Sequence, residues 1–207
     1  MKDFWNDRYR EEEYVYGTEP NVFFREALDL YEPTGDILMP ADGEGRNGVY
    51  AAKRGLNVYA FDISEEGRKK AEKLAEQEGV SVRYYVGVFP ELPVYRMQFD
   101  AAAMIYAHFP PELLVPYYEK IADLLLPGGL VILEGYSRKQ ADWQKINPTA
   151  GGPRDINMLF TTSGIGEIFS GFEILQLEEK EVEQEEGRYH RGKGTVIRFI
   201  GRKRAVF

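Results

Sequence analysis

The chain has 207 residues, a formal net charge of −8 and a pI near 5.0, and its length suits one sizeable α/β domain. It contains no cysteine, which excludes a disulfide framework, a thiolate metal site and a cysteine nucleophile, and we assign no metal ligands. The acidic balance disfavours nucleic acid, and no apolar run is long enough to span a bilayer. We therefore expect a cytoplasmic protein with a small-molecule partner and neither a nucleic-acid nor a membrane partner.

Residues 1–20 are dense in aromatic and charged side chains and lack a regular period. Two interpretations are open. The segment is either an N-terminal arm whose rings pack onto the core, or a lid whose rings close over a ligand. Residues 21–31 then carry apolar side chains at helical spacing and predict a core-facing helix.

Residues 36–48 predict a strand, a glycine turn and the start of a helix, which together open a βαβ unit. Residues 43–48 fit the pattern GxGxxG, in which glycines allow a tight turn and the close approach of a ligand to backbone amides. The pattern is short, so an ordinary turn is the alternative.

Asp62 follows the next apolar run, nineteen residues after Gly43. A nucleotide-binding α/β fold places an acid there to accept hydrogen bonds from two ribose hydroxyls. The alternative is an acidic residue near a helix start, with Ser64 as the N-cap.

The remaining chain alternates apolar runs with amphipathic segments. Helices are predicted at 45–54, 64–79, 110–126 and 161–170, and strands at 56–61, 80–86, 99–105 and 130–133. The strands are continuously apolar, as in a parallel sheet covered on both faces. Residues 135–160 are expected to form a long polar loop. Strands at 172–182 and 194–200, with no helix between them, predict a closing antiparallel hairpin. We find no repeat or linker and expect one domain over residues 1–207.

The chain resembles class I S-adenosylmethionine-dependent methyltransferases in the order of its features. These features are the glycine turn, Asp62, the Phe99-Asp100 strand, the turn at 126–129 and the terminal hairpin. Its segments FWNDRY, YGTEPN, GEGRN and EEGRYHRGKGTVIRFIGRKR further resemble short bacterial methyltransferases related to the tellurite-resistance methyltransferase. The resemblance implies an α/β, Rossmann-like methyltransferase fold. Such a fold has a seven-stranded, mostly parallel sheet with a C-terminal antiparallel hairpin and helices on both faces.

The resemblance also implies S-adenosyl-L-methionine as the cofactor and S-adenosyl-L-homocysteine as its product. The glycine turn would wrap the methionine part, Asp62 would hold the ribose, and the following strand ends would border the adenine and the sulfonium. The residues assigned to cofactor binding are Ala41, Asp42, Gly43, Gly45, Asn47, Asp62, Ile63, Val88, Phe89 and Ala107.

The chain departs from the family pattern at Met39, where an acid is usual, at Ala41, where glycine is usual, and at Val88, where Asp or Asn usually meets the adenine. Asp42 could replace the missing acid if its side chain turns inward. We therefore expect weaker cofactor binding than in family members that retain the acids. The alternative function is an S-adenosylmethionine-binding protein with weakened or lost catalysis and a regulatory or interaction role.

Three residues are assigned to catalysis by position and by the resemblance: His108, His190 and Arg191. His108 ends the fourth strand on the ligand side, or else caps the next helix. His190 and Arg191 match the family's His-plus-basic pair near the acceptor. His190 would orient or deprotonate the acceptor, and Arg191 would bind an anionic one. Their alternative is a solvated hairpin turn.

A nicotinamide oxidoreductase would also use the glycine pattern and Asp62, but Glu44 is unfavourable beside a pyrophosphate. The predicted function is methyl transfer to a small acceptor: a tellurite- or selenite-type oxyanion, a small organic acid or a thiol. We expect a monomer or a homodimer.

Overall fold

Seven strands form one sheet in the computed structural model, which describes residues 1–205. The strands are β1 (Asp36–Pro40), β2 (Asn57–Asp62), β3 (Val82–Val86), β4 (Phe99–Ile105), β5 (Leu125–Tyr136), β6 (Phe172–Glu186) and β7 (His190–Lys203). Their order across the sheet is β3-β2-β1-β4-β5-β7-β6. Strands β1 to β5 pair in parallel, and β7 pairs antiparallel with both β5 and β6. The predicted mixed sheet is therefore confirmed.

Within the described chain, seven α-helices accompany the sheet. They are α1 (Lys2–Tyr9), α2 (Val22–Tyr31), α3 (Arg46–Lys53), α4 (Glu65–Gln77), α5 (Pro111–Leu124), α6 (Gln140–Ile146) and α7 (Thr162–Ile168), with short 3-10 helices at Phe89–Glu91, Pro93–Arg96 and Ile156–Met158. None of the helices in residues 1–205 is long and apolar enough to cross a membrane.

Both faces of the sheet are buried, because side chains alternate along each strand. Leu38 packs in the same core cluster as Ile121 of α5, whereas its neighbour Met39 packs with Phe24 of α2 on the other face. This arrangement explains why the predicted strands are continuously apolar, and it confirms helices on both faces.

The structure corrects three local predictions. Helix α1 lies in the segment that lacked a period, and α6 lies in the predicted loop at 135–160. Each of these helices carries only one buried residue, so neither shows an apolar stripe in the sequence. Strands β6 and β7 also extend much further than predicted and leave residues 187–189 as the turn. The extension of β6 is rich in glutamate, which disguises it in the sequence.

The carboxyl ends of β1, β2 and β4 lie at one edge of the sheet, and the antiparallel strand β7 begins at that same edge. Residues 1–20, the N-terminal arm, contact this edge through backbone and side-chain hydrogen bonds to residues 44, 64 and 188. Open α/β sheets bind their ligands at this edge.

Candidate functional site

The turn between β1 and α3 passes through the left-handed backbone region, with φ of +52° at Ala41, +56° at Gly43 and +85° at Gly45. A Cβ on Gly45 would lie 2.5 Å from the Cβ of Ala71 in α4, so backbone conformation and helix packing both require this glycine. Ala41 holds a conformation that is unfavourable for an L-residue with a side chain. The predicted strand, turn and helix are confirmed, and Gly45 is explained without a ligand.

Asp62 ends β2 against this turn and precedes Ile63, which is half-buried. Its Oδ2 accepts a hydrogen bond from the N–H of Gly43 at 3.1 Å, and its Oδ1 accepts one from the N–H of Ser64 at 2.9 Å. Burial raises the pKa of Asp62 to about 6 despite these hydrogen bonds. Each carboxylate oxygen keeps a second lone pair, so the group fits a ribose with two hydroxyl donors.

Asp42 turns toward α3, where its carboxylate accepts a hydrogen bond from the N–H of Gly48 at 3.2 Å. Burial raises the pKa of Asp42 to about 8, which favours its protonated form near neutral pH. Its orientation toward Gly48 and this raised pKa both make it a poor replacement for the missing acid. Asn47 also faces the protein, since its Oδ1 accepts a hydrogen bond from the N–H of Asn21 at 2.9 Å.

The loop after β3 lies beside Asp62, whose carbonyl accepts a hydrogen bond from the N–H of Gly87 at 3.0 Å. Val88 is 43% exposed at this point and is available to a ligand. Phe89 is buried instead, with its ring stacked on Phe61 at a centroid distance of 4.8 Å. Of the two residues assigned to this side of the adenine, Val88 therefore lies at the surface and Phe89 lies in the core.

The N-terminal arm covers the glycine turn. A Cβ on Gly43 would lie 2.6 Å from the hydroxyl of Tyr9, which shows how closely the ring approaches the backbone there. The N–H groups of Val15 and Tyr16 donate to Oε2 of Glu44 at 2.9 and 3.4 Å. The arm thus packs onto the core and also covers the candidate cofactor site, so both interpretations of residues 1–20 remain compatible with the structure.

A buried polar network connects the N-cap residue of α2, Asn21, to the closing hairpin. Asn21 donates through Nδ2 to Oε1 of Glu134 at 2.7 Å and to Oε1 of Glu186 at 2.9 Å. Arg46 donates to Oε2 of Glu186 at 2.8 Å, and Arg198 donates to Oε2 of Glu134 at 2.6 Å. Both carboxylates are therefore compensated by a guanidinium, as burial of charge requires.

His190 lies at the centre of this network, with its Nδ1 3.0 Å from Oε2 of Glu186. Burial lowers the pKa of His190, although the carboxylate opposes the shift. Burial also acts to raise the pKa of Glu186, but the hydrogen bond from His190 and the charge of Arg46 outweigh it and lower that pKa to about 2. The imidazole is enclosed by three aromatic rings at centroid distances of 4.4 to 5.6 Å, which belong to Tyr16, Tyr106 and Tyr136.

His190 is not in the hairpin turn, as the sequence suggested, but is the first residue of β7 and is buried. Arg191 follows it and is exposed, because successive residues of a strand face opposite sides. The Nε of Arg191 donates to the carbonyl of Gly187 at 2.7 Å. The structure thus separates the predicted pair, and its assignment as an anion-binding pair remains a prediction without geometric support.

His108 uses both of its ring nitrogens within the protein. Its Nδ1 lies 2.8 Å from the carbonyl of Met158, and its Nε2 accepts the N–H of Tyr136 at 3.0 Å. Burial lowers the pKa of His108 to about 4. Ala107 is also buried, and its carbonyl accepts the hydroxyl of Tyr118 at 2.9 Å. In this arrangement His108 neither caps α5 nor presents a free nitrogen to a ligand.

Sequence reasoning missed several residues at this edge. Arg46 occupies a variable position of the glycine pattern, and Glu186 lies in a glutamate-rich segment, so neither carried a signal. Glu134 and Tyr106 could have been found, because polar residues that end buried parallel strands meet at one edge. Tyr106 has φ of +54°, an unfavourable conformation for an aromatic residue that is common at functional sites.

Residues 37–129 match the family model for a methyltransferase domain. A comparison with curated proteins gave no match. The matched segment contains the glycine turn, Asp62 and β4.

Three solved structures are similar over nearly the whole chain. A protein from work on the conversion of a disulfide bond into a thioacetal group during echinomycin biosynthesis is 16% identical, with a TM-score of 0.78 over 99% of this chain and 92% of that one. Magnesium protoporphyrin IX methyltransferase (ChlM) from Synechocystis PCC 6803, with bound S-adenosylhomocysteine, is 17% identical, with a TM-score of 0.71 over 98% and 97%. TehB from Haemophilus influenzae is 14% identical, with a TM-score of 0.70 over 98% and 67%.

The solved structures confirm the predicted fold, which is that of S-adenosylmethionine-dependent methyltransferases. The match of residues 37–129 to a methyltransferase domain agrees with the predicted enzyme class.

Proposed function

With the domain and the fold of an S-adenosylmethionine-dependent methyltransferase as the premise, we propose that this protein methylates a small acceptor at the carboxyl edge of its sheet. The acceptor classes under consideration are a tellurite- or selenite-type oxyanion, a small organic acid and a thiol. The observation that carries the proposal is the Asp62 carboxylate against the glycine turn, inside the segment that matches a methyltransferase domain.

We assign cofactor binding to residues that keep an unused hydrogen-bond acceptor or an exposed side chain in the described structure. Asp62 would accept the ribose hydroxyls on its unused lone pairs, and Ile63 and Val88 would flank the adenine. When bound, S-adenosylmethionine supplies an electrophilic methyl group. The chain then has to align the acceptor with that group and exclude water, since positioning of reactants contributes up to roughly 7 to 11 kcal/mol in intramolecular models.

The N-terminal arm is proposed to be the lid of this site. It is anchored on the middle of the glycine turn, by Tyr9 against Gly43 and by the N–H groups of Val15 and Tyr16 on Glu44. A lid in this place would admit the cofactor when open and exclude water when closed. It belongs to the one domain that we propose for residues 1–207.

Thermal unfolding with S-adenosylhomocysteine tests the cofactor assignment. Ligand at one hundred times its dissociation constant adds about 2.7 kcal/mol to the free energy of unfolding. For a domain of this size the midpoint should rise by roughly 5 to 10 °C. NADH and NADPH are the matched controls and should give no shift. No shift with millimolar S-adenosylhomocysteine would contradict the proposal.

A second candidate is an S-adenosylmethionine-binding protein with weakened or lost catalysis. It is supported by Met39 in the core, by the strained Ala41 and by the raised pKa of Asp42, which together disfavour an ionised partner from β1 or the turn for the cofactor's ammonium. Retained binding of S-adenosylhomocysteine without transfer of labelled methyl to any oxyanion, organic acid or thiol acceptor would favour this candidate.

A further inference from the structure

The buried charges around His190 restrict the charge of the acceptor that this site can accommodate. On the basis of the proposed methyl transfer, we infer that the acceptor is an uncharged thiol, and that His190, positioned by Glu186, removes the thiol proton through Nε2. The inference narrows the three acceptor classes to one and assigns a role to Glu186.

The first step is the charge of the site. The guanidinium of Arg46 is 2.8 Å from Glu186, that of Arg198 is 2.6 Å from Glu134, and Nζ of Lys70 is 2.7 Å from Glu44. Each of these buried cations is thus already neutralised. Arg191, the cation that an oxyanion was expected to use, faces the opposite side of β7.

Arg188 lies over the Tyr189 ring but is paired with Glu11. Arg8 is a further cation beside the rings around His190. Its guanidinium lies 4.3 Å from the ring centroid of Tyr189 and donates to the hydroxyl of Tyr16 at 3.0 Å. Arg8 does not contact the imidazole directly, although its charge acts on it. Among the described side chains, an anionic acceptor at His190 would contact no cation directly, so the protein itself accommodates an uncharged acceptor there at lower cost than an oxyanion or a carboxylate.

The second step is the tautomer of His190. A carboxylate can only accept hydrogen bonds, so the ring nitrogen that faces Glu186 carries the proton. Nε2 is then the unprotonated nitrogen, and it makes no hydrogen bond with any described residue. Asn21 and Arg46 hold the Glu186 carboxylate in place.

The groups that face this imidazole define its protonation. They are the phenols of Tyr16, Tyr106 and Tyr136, the carboxylate of Glu186 and the guanidinium groups of Arg46 and, further out, Arg8. Burial and the two arginines favour the neutral ring, whereas Glu186 favours the cation. The lowered pKa favours the neutral form of His190 and makes it a weaker base than a free imidazole, and the ring faces that enclose it suit an uncharged acceptor.

The third step is the choice among protic acceptors. An S–H group has a pKa near 8.5, whereas phenols titrate near 10, so a weak base removes a thiol proton more readily. The thiol sulfur forms a bond to the methyl carbon, and the bond from that carbon to the sulfonium sulfur breaks with its electron pair staying on that sulfur. The proton goes to Nε2, and Glu186 stabilises the resulting imidazolium.

The first test determines the tautomer of His190 in the protein without any ligand. The chain has two histidines, so the full-length protein with ¹⁵N-labelled histidine gives four ring nitrogen signals, which His190→Gln assigns. We expect His190 protonated on Nδ1 at pH 7. In Glu186→Gln, whose amide can donate to Nδ1, the ring should shift toward the Nε2–H form. Glu185→Gln, on the exposed neighbour in β6, should change nothing. A wild-type ring protonated on Nε2, or one unaltered by Glu186→Gln, would overturn the role of Glu186.

The second test compares acceptors. With labelled S-adenosylmethionine we expect kcat/KM for an uncharged small thiol such as 2-mercaptoethanol to exceed that for selenite or tellurite by at least about tenfold. Glu186→Gln should lower kcat for the thiol by roughly 10²-fold or more, the range of general-base catalysis, with little change in KM. The rescue variant Glu186→Asp should recover part of the loss.

The outcomes separate the two proposals. If S-adenosylhomocysteine binds and an oxyanion is methylated in preference to the thiol, the thiol assignment is wrong and the methyltransferase proposal stands. If S-adenosylhomocysteine does not bind, the proposed function fails and the thiol assignment fails with it, while the nitrogen spectra still decide how Glu186 positions His190.

Discussion

The backbone N–H of Gly43 and Oδ2 of Asp62 are 3.1 Å apart, although nineteen residues separate them in the chain. The hydrogen bond joins the end of β2 to the turn after β1, the two places from which a cofactor would be held. It is therefore the point at which substitutions test the site most directly.

Asp62→Asn should weaken binding of S-adenosylhomocysteine by at least about tenfold. The substitution replaces a charged acceptor by a neutral amide, and hydrogen bonds to charged groups contribute about 1.5 to 3 kcal/mol. Calorimetric titration measures the change. Asp36→Asn, at the start of β1 on the opposite edge of the sheet, is the matched control and should leave the affinity unchanged. Equal affinities for the Asp62→Asn variant and the wild type would remove Asp62 from the site.

Ala41→Gly should stabilise the protein by up to about 1 kcal/mol, because φ of +52° is unfavourable for alanine and free for glycine. Urea unfolding gives the difference in the free energy of unfolding. Ala51→Gly, inside helix α3, should destabilise by about 1 kcal/mol and serves as the control of opposite sign. A loss of stability in Ala41→Gly would show that the turn is not strained.

Tyr9→Ala should release the N-terminal arm while the sheet stays folded. The ring is buried against Gly43, and removal of a buried aromatic side chain costs about 3 to 5 kcal/mol. Hydrogen exchange in residues 2–16 should accelerate at least about tenfold. Phe4→Ala changes a ring of the same helix that is 54% exposed and should have little effect. Acceleration throughout the sheet would instead indicate global unfolding.

Asp42 makes the free energy of unfolding fall as pH rises from its unfolded pKa of 3.8 to its folded pKa of about 8, above which its effect levels off. Its folded pKa is raised to about 8 from 3.8, so the folded state holds a proton that the unfolded state has released. The raised pKa of Asp62, about 6, also makes the free energy of unfolding fall with rising pH, but at lower pH. The two histidines, whose pKa values are lowered, make the free energy of unfolding rise with pH instead. Between pH 6.5 and 8.5 the effect of Asp62 is nearly complete, whereas the histidines, with an unfolded pKa near 6.5, still offset part of the loss. A comparison with an Asp42 variant therefore isolates the contribution of Asp42.

We therefore expect the wild type to lose on the order of 1 kcal/mol or more between pH 6.5 and 8.5, since one pKa unit corresponds to about 1.4 kcal/mol. Asp42→Asn keeps an acceptor for the N–H of Gly48 and should reduce that loss. Urea unfolding at the two pH values measures it. Identical pH dependence in the two proteins would mean that Asp42 is ionised in the folded state.

His108→Ala should reduce stability more than catalysis. The substitution leaves the carbonyl of Met158 and the N–H of Tyr136 without their partner, and an unsatisfied buried group costs about 1 to 3 kcal/mol. Urea unfolding and kcat/KM are measured together, with His190→Ala as the comparison. A large loss of kcat/KM at unchanged stability would instead assign His108 to catalysis.

Predictions that rest on local periodicity agree with the structure. The parallel strands, the turn with Gly43 and Gly45, and the helix after Asp62 all carry their own apolar pattern or turn residues. Helices α1 and α6 carry no such local pattern, because their positions depend on contacts with distant parts of the chain. Tyr9 illustrates this, since its burial comes from residues 43 and 67.

The separation of His190 from Arg191 could not be predicted without the true extent of β7. Once the strand is known to begin at His190, the alternation of side chains along it places His190 and Arg191 on opposite faces of the sheet. The glutamates of β6 hid that extension, because they lie on an edge strand where charged side chains protect against aggregation.

The sequence by itself determined the fold class, the place of the candidate cofactor site and the nature of its central acid, because these depend on short patterns that are read along one strand or turn. The tertiary structure alone decided the charge state of the site. The partners of Glu186, namely Arg46, Asn21 and His190, come from three separate parts of the chain. Burial and pairing fix protonation, and both arise only when distant segments pack together.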